Sequence, residues 1–216
     1  MSDTDAATST TGTDRLTLYA DYVCPFCYLG KRSLEQYRET RDEPLAVEWH
    51  PFDLRSGKRN PDGSIDHDAE DGKDDEYFAQ ARENVRRLRE EYGVEMAQEL
   101  AIEVDSLNAQ LASWYVQGAY PERWADFDAA IYEALWQDGR DIGDVAVLTD
   151  LAEKTGLPAD EIRDAVDDDG LQAELDEQFA EARQQRITGV PTFVSDGHAA
   201  RGAVPPAHLE RLIDGA

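Results

Sequence analysis

The sequence predicts an α/β fold in which an all-helical block is inserted into a small sheet unit. Three observations predict it. The first fifty residues read β-α-β, residues 190–213 read β-β-α, and the long stretch between them carries apolar stripes at helical spacing.

Each element follows from its residues. Leu16 to Ala20 is a strand, followed at once by Asp21-Tyr22-Val23-Cys24-Pro25-Phe26-Cys27. Pro25 suits the first helical position, where its missing N–H costs nothing. Cys27, Gly30, Leu34 and Tyr37 then share one helix face, which runs to about Thr40. Leu45 to Trp49 alternates as a second strand. Phe78, Ala81, Val85, Leu88 and Tyr92 mark one helix; Leu107, Leu111 and Trp114 mark another, with Ser106 as its expected N-cap. Trp124, Phe127, Ile131 and Leu135 follow Pro121, and Val147, Leu148 and Leu151 follow Asp144, with Gly156 as a stop. Pro158 opens a short helix with Ile162 and Val166, and Leu171, Leu175, Phe179 and Ala182 form the last long stripe. Val190 to Val194 reads as a strand, Asp196-Gly197 as a hairpin turn, and His198 to Gly202 as the returning strand. Leu209, Leu212 and Ile213 mark a final helix.

Composition narrows the function classes. A chain of 216 residues at net charge −26 repels nucleic acid and anionic membrane. No apolar run is long enough for a transmembrane helix. The opening residues 1–14 are small, polar and acidic, with neither a basic start nor an apolar stretch, so a disordered acidic tail and a cytoplasmic location are expected. The 17 Arg against 4 Lys and the acidic excess point to a halophilic protein, whose self-repulsion is screened within about 3 Å at molar salt.

The two cysteines of the chain sit in one Cys-X-X-Cys at a strand-to-helix junction. Unpaired N–H groups and the helix dipole favour an anion there, which makes Cys24 the nucleophile. Cys27, one turn on, faces inward and can resolve a mixed disulfide. A zinc site needs four ligands. There is no second cysteine pair, and His50, His67, His198 and His208 lack ligand spacing, so no metal is expected. His50 and His198 read as ordinary histidines before they read as proton shuttles.

The segment Asp21 to Lys31 closely resembles the active-site segment of the DsbA-like family, and looks most like its FrnE-type branch. Relatives in that branch include 2-hydroxychromene-2-carboxylate isomerases and kappa-class glutathione transferases. Ile187 to Val194 resembles the family's cis-proline loop, Trp49 to Leu54 the segment after its second strand, and Asp138 to Ile142 a turn in its helical insertion. The resemblance implies a thioredoxin-like fold, with residues 15–65 and 186–216 as the thioredoxin-like domain and 66–185 as the helical insertion domain. It also implies that Pro191 is cis and lies beside Cys24. Family members commonly carry Trp or His where Phe26 stands. Phe26 cannot hydrogen-bond a thiolate, so a potential nearer glutaredoxin or thioredoxin values is expected.

The expected function is thiol–disulfide exchange on protein or small-molecule substrates. Cys24, Cys27 and Pro191 are the expected catalytic residues, and Val190, Phe26 and Pro25 the expected substrate contacts. No metal or organic cofactor is implied, and a homodimer is one open oligomeric state. Two alternatives stand beside it: a small-thiol-dependent isomerase or transferase, which needs no second thiol, and a chaperone-like peptide-binding protein, which needs an exposed apolar cleft.

Overall fold

The computed structural model describes residues 14–60, 63–66, 69 and 72–215. The tail expected over 1–14 and His67 therefore lie outside the described residues, except for Asp14. Asp14 is the first residue of a strand and not part of a tail: it pairs with Leu45, and its carboxylate accepts from Arg41 at 2.6 Å.

The described elements run β1 (Asp14–Ala20), α1 (Pro25–Glu39), β2 (Leu45–Pro51), α2 (Asp75–Tyr92), α3 (Leu107–Ala119), α4 (Pro121–Trp136), α5 (Val145–Lys154), α6 (Ala159–Val166), α7 (Asp169–Gln184), β3 (Thr192–Ser195), β4 (His198–Arg201) and α8 (Pro206–Asp214). The sheet order is β2-β1-β3-β4, with β1 parallel to β2 and antiparallel to β3, and β3 antiparallel to β4. A central strand is paired on both edges and covered on both faces. That is why β1 reads as a nearly continuous apolar run, with Leu16, Leu18, Tyr19 and Ala20 all buried. Burying such a side chain contributes roughly 1.5–3 kcal/mol.

Helices α1 and α8 pack on each other, with α8 against β1, β3 and β4, while α7 lies on β2. The other long helices, α3 to α6, pack mostly among themselves, and α4 also reaches α1. Local chemistry sets many of the helix ends. Asp74, Asp144 and Asp168 each accept a backbone N–H of the following turn. Pro121 and Pro206 occupy first helical positions. Gly156, at φ +77°, follows the end of α5 in the left-handed region that side chains avoid.

Two expectations are corrected. Ser106 stands at the N-cap of α3 as expected, but its side chain makes no cap bond: its hydroxyl donates to Asp21 Oδ1 at 2.6 Å, a longer-range and charge-assisted bond. Val190 and Pro191 are not in β3, which begins at Thr192. Proline has no N–H to give to a ladder, and the Pro191 carbonyl instead takes the Gly202 N–H at 2.8 Å. The turn between β3 and β4 does fall at Asp196-Gly197, both at positive φ as a two-residue hairpin turn requires.

Candidate active site

The site grows from the corner between β1 and α1. Cys24 is the N-cap residue of α1, in extended conformation, and Pro25 is the first helical residue. The Cys24 N–H donates to Asp21 O at 3.1 Å, and its carbonyl accepts from Cys27 N at 3.0 Å. These bonds set the two sulfurs on the same side of the first helical turn. Both cysteines are free thiols. Cys24 is 3% exposed and Cys27 fully buried. Burial pushes the Cys27 thiol well above its ordinary range, and the hydrogen bond and charge of Cys24 push it further.

Across from the corner, the Cys24 thiol donates to the Val190 carbonyl at 3.5 Å. The Val190–Pro191 peptide bond is cis. This loop can approach α1 because residue 30 is glycine. A Cβ on Gly30 would stand 3.1 Å from Pro191 Cγ and 3.3 Å from Phe193 Cζ, tighter than neighbours in a packed interior accept.

A cavity of about 330 Å³ opens at Cys24. Pro25, Phe26 and Val190 line it on the motif side, and Leu54, Tyr77 and Ile102 on the far side. Those last three are the large apolar side chains that stand exposed among the described residues. Their gathering around one cavity makes a contiguous exposed apolar patch, which scattered single apolar residues would not. Phe78, expected on a core stripe, also lines this cavity and is only half-buried.

Asp21 was not singled out as a site residue from the sequence. It is fully buried, and its carboxylate accepts from Val23 N at 3.2 Å, Ser106 Oγ at 2.6 Å and Leu54 N at 2.8 Å. It thereby joins the cysteine corner, the segment after β2 and the start of α3. Burial raises its pKa to about 6 against the pull of these bonds. Its place three residues before Cys24, at the end of an apolar strand, was the available signal: a carboxylate buried there needs a reason.

The helical block supplies a cover. Trp136 Nε1 donates to the Tyr22 carbonyl at 2.9 Å. The Tyr22 hydroxyl stands 2.9 Å from Asp128 Oδ1 and 2.7 Å from Ser113 Oγ, which also accepts from Trp124 Nε1 at 2.9 Å. Asp128 in turn holds Lys31 of α1, whose ammonium lies over the Tyr132 ring. The histidines are elsewhere. His50 lies against Tyr19 and 4.0 Å from Glu181, and His198 is exposed on β4. Neither lines the cavity. Among the described residues no group of three or more His, Cys, Asp or Glu could hold a metal ion. Nor is any described helix long and apolar enough to cross a membrane.

Comparison with known proteins agrees with this construction. The chain is 27% identical over 202 residues to YwbO of Bacillus subtilis (strain 168), an uncharacterized protein, covering 93% of this chain and 96% of that one. It superposes with a TM-score of 0.75 on a protein described as a probable DsbA oxidoreductase from Streptomyces coelicolor, at 22% identity over 92% of this chain and 87% of that one. A 2-hydroxychromene-2-carboxylate isomerase superposes at 0.71, with 19% identity over 91% and 92% of the two chains. At these identities the superpositions speak for a shared thioredoxin-like fold. The model of the DSBA-like thioredoxin domain matches residues 15–214, and the chain belongs to that family.

Proposed function

We propose that the protein is a thiol–disulfide oxidoreductase, in which Cys24 attacks and Cys27 resolves. The observation that carries this reading is the pairing of two thiols in unlike surroundings. Cys24 stands at the mouth of the cavity beside the Val190 carbonyl, and Cys27 is sealed one turn behind it. A substrate disulfide that reaches Cys24 forms a mixed disulfide, and Cys27 is the one sulfur near enough to displace it. Pro25, Phe26 and Val190 are then substrate contacts, and an extended protein substrate pairs with the backbone edge at Val190. The domain division at residues 65/66 and 185/186, and a cytoplasmic location, belong to the same reading.

The test separates this chemistry from a thiol-dependent isomerisation, for which a second thiol is unnecessary. Cys27→Ser is expected to accumulate mixed disulfides with substrate, and Cys24→Ser to lose reduction of insulin disulfides. The reading is overturned if the wild type has no activity on disulfides while Cys27→Ala turns over an aromatic isomerisation substrate with added thiol.

A further inference from the structure

The wall of the cavity at Cys24 departs from the charge of the chain. The sequence holds 47 acidic residues against 21 Lys and Arg. Among the described residues, however, Arg55, Lys58 and Lys73 line the cavity against one acid, Glu103. Lys58, Lys73 and Glu103 have interactions of their own. Arg55 is placed differently.

The backbone that carries Arg55 is fixed to the cysteine corner. The Leu54 N–H donates to Asp21 Oδ2 at 2.8 Å, and the Arg55 N–H to Asp53 Oδ1 at 2.9 Å. The half-buried Arg55 guanidinium donates from Nη2 to the Ala101 carbonyl at 2.5 Å, and its Nε is buried with no acceptor. A neutral carbonyl is thus the partner of a cation that can make five hydrogen bonds. The acids on the flanking segments are committed elsewhere. Arg59 holds Asp53 at 3.0 Å and Asp105 at 2.9 Å, and the Asp21 carboxylate is taken by Val23, Ser106 and Leu54. The ion pairs among the described residues do not include Arg55. A half-buried cation without a counter-charge is costly, and this one stands in the wall of the cavity that holds the reactive sulfur.

We propose that the substrate of Cys24 is a disulfide in an extended peptide with an acidic side chain near its cysteine, and that Arg55 binds that carboxylate. This rests on the exchange reading above and names its substrate class. The planar guanidinium matches a carboxylate in shape as well as charge. Its bond to the Ala101 carbonyl holds it in place beforehand, which lowers the ordering cost of binding. In the same cavity, the exposed faces of Leu54, Tyr77 and Ile102 cover apolar side chains beside the acid. A space of about 330 Å³ admits a few side chains and no folded domain. The acid therefore lies within about four residues of the cysteine, since an extended chain advances roughly 3.3 Å per residue.

Stopped-flow reaction of the reduced protein with peptides whose cysteine carries a thiopyridyl disulfide tests this. Cys24 attacks the peptide sulfur, the bond to the thiopyridyl sulfur breaks, and coloured thiopyridone leaves, so its release reports capture. The peptides carry Glu or Gln at each of about four positions on either side of the cysteine. Molar KCl is used because the net charge of −26 repels every acidic peptide in dilute buffer, and molar salt confines that field to about 3 Å. The wild type is expected to capture the best-placed Glu peptide roughly tenfold faster than its Gln twin. In Arg55→Met that ratio is expected to fall to about one. If Arg55 serves only to hold the Ala101 carbonyl, its loss slows both peptides and leaves the ratio in place, which overturns the proposal. A wild-type ratio near one at every position overturns it too. If Arg55→Met fails to fold, a double variant Lys58→Met, Lys73→Met decides: a retained ratio assigns the preference to Arg55, and a lost ratio overturns that assignment. Failure of the wild type to capture either peptide would instead overturn the exchange reading, and this proposal with it.

Discussion

The β1–α1 corner and the helical block that covers it are held by different means. In the corner, short-range bonds do most of the positioning: Cys24 N to Asp21 O, Cys27 N to Cys24 O, Val23 N to Asp21 Oδ1. In the helical block, the ties to the sheet unit are side-chain bonds between residues far apart in sequence. They include Tyr22 with Ser113 and Asp128, Trp136 with the Tyr22 carbonyl, Lys31 with Asp128, and Ser106 with Asp21. The corner can thus present two sulfurs with little help from distant residues. Their burial, and the cavity wall opposite them, come from the block and the loops leading to it. Reactivity and environment have separate sources in this molecule, and substitutions can address one without the other.

The largest effect on that division should come from Asp128. Its carboxylate is nearly buried and serves both Lys31 and Tyr22. Asp128→Ala leaves a mostly buried ammonium and a buried hydroxyl without their acceptor, so a loss of about 3–5 kcal/mol in urea-unfolding stability is expected. A loss below about 1 kcal/mol would break the comparison, since this tie would then contribute little to holding the block.

Asp21 sharpens it with a pH dependence. Burial raises its pKa from 3.8 to about 6, so the folded state binds the proton more tightly than the unfolded chain. The stability this contributes is present below about pH 4 and lost as the pH climbs through 6. At about 1.4 kcal/mol per unit the change is about 3 kcal/mol. Unfolding stability of the wild type relative to Asp21→Asn should fall by most of that amount, about 2 kcal/mol, between pH 4 and 7. A flat difference would show that the local bonds, and not burial, govern this carboxylate.

The smallest effect per contact belongs to the surface. At net charge −26, like-charged neighbours on exposed helix faces each cost about 0.2–0.5 kcal/mol. Molar KCl screens them to within about 3 Å. The melting temperature should therefore climb from dilute buffer to molar KCl; an unchanged value would remove the halophilic reading.

Element order was legible in the sequence because periodicity and punctuation agree. Period-two strands, helical stripes, Pro at helix starts, Asp before helices and Gly after them all report on neighbours within a few residues, where sequence distance and spatial distance coincide. The cysteine pair was legible for the same reason, since strand, Pro25 and spacing together imply a helix N-terminus. Other features depended on contacts between distant segments. Ser106 reads as a cap until a buried carboxylate 85 positions away takes its hydroxyl. Val190-Pro191 reads as strand until the Gly202 N–H takes the Pro191 carbonyl and the Cys24 thiol faces the Val190 carbonyl. Phe78 reads as core, yet it lines the cavity with Leu54, Tyr77 and Ile102 from three separate segments. Asp21 looked like one more acid in an acidic chain. Its distinction is the loss of water around it, and burial is a property of the packed molecule that no local pattern encodes.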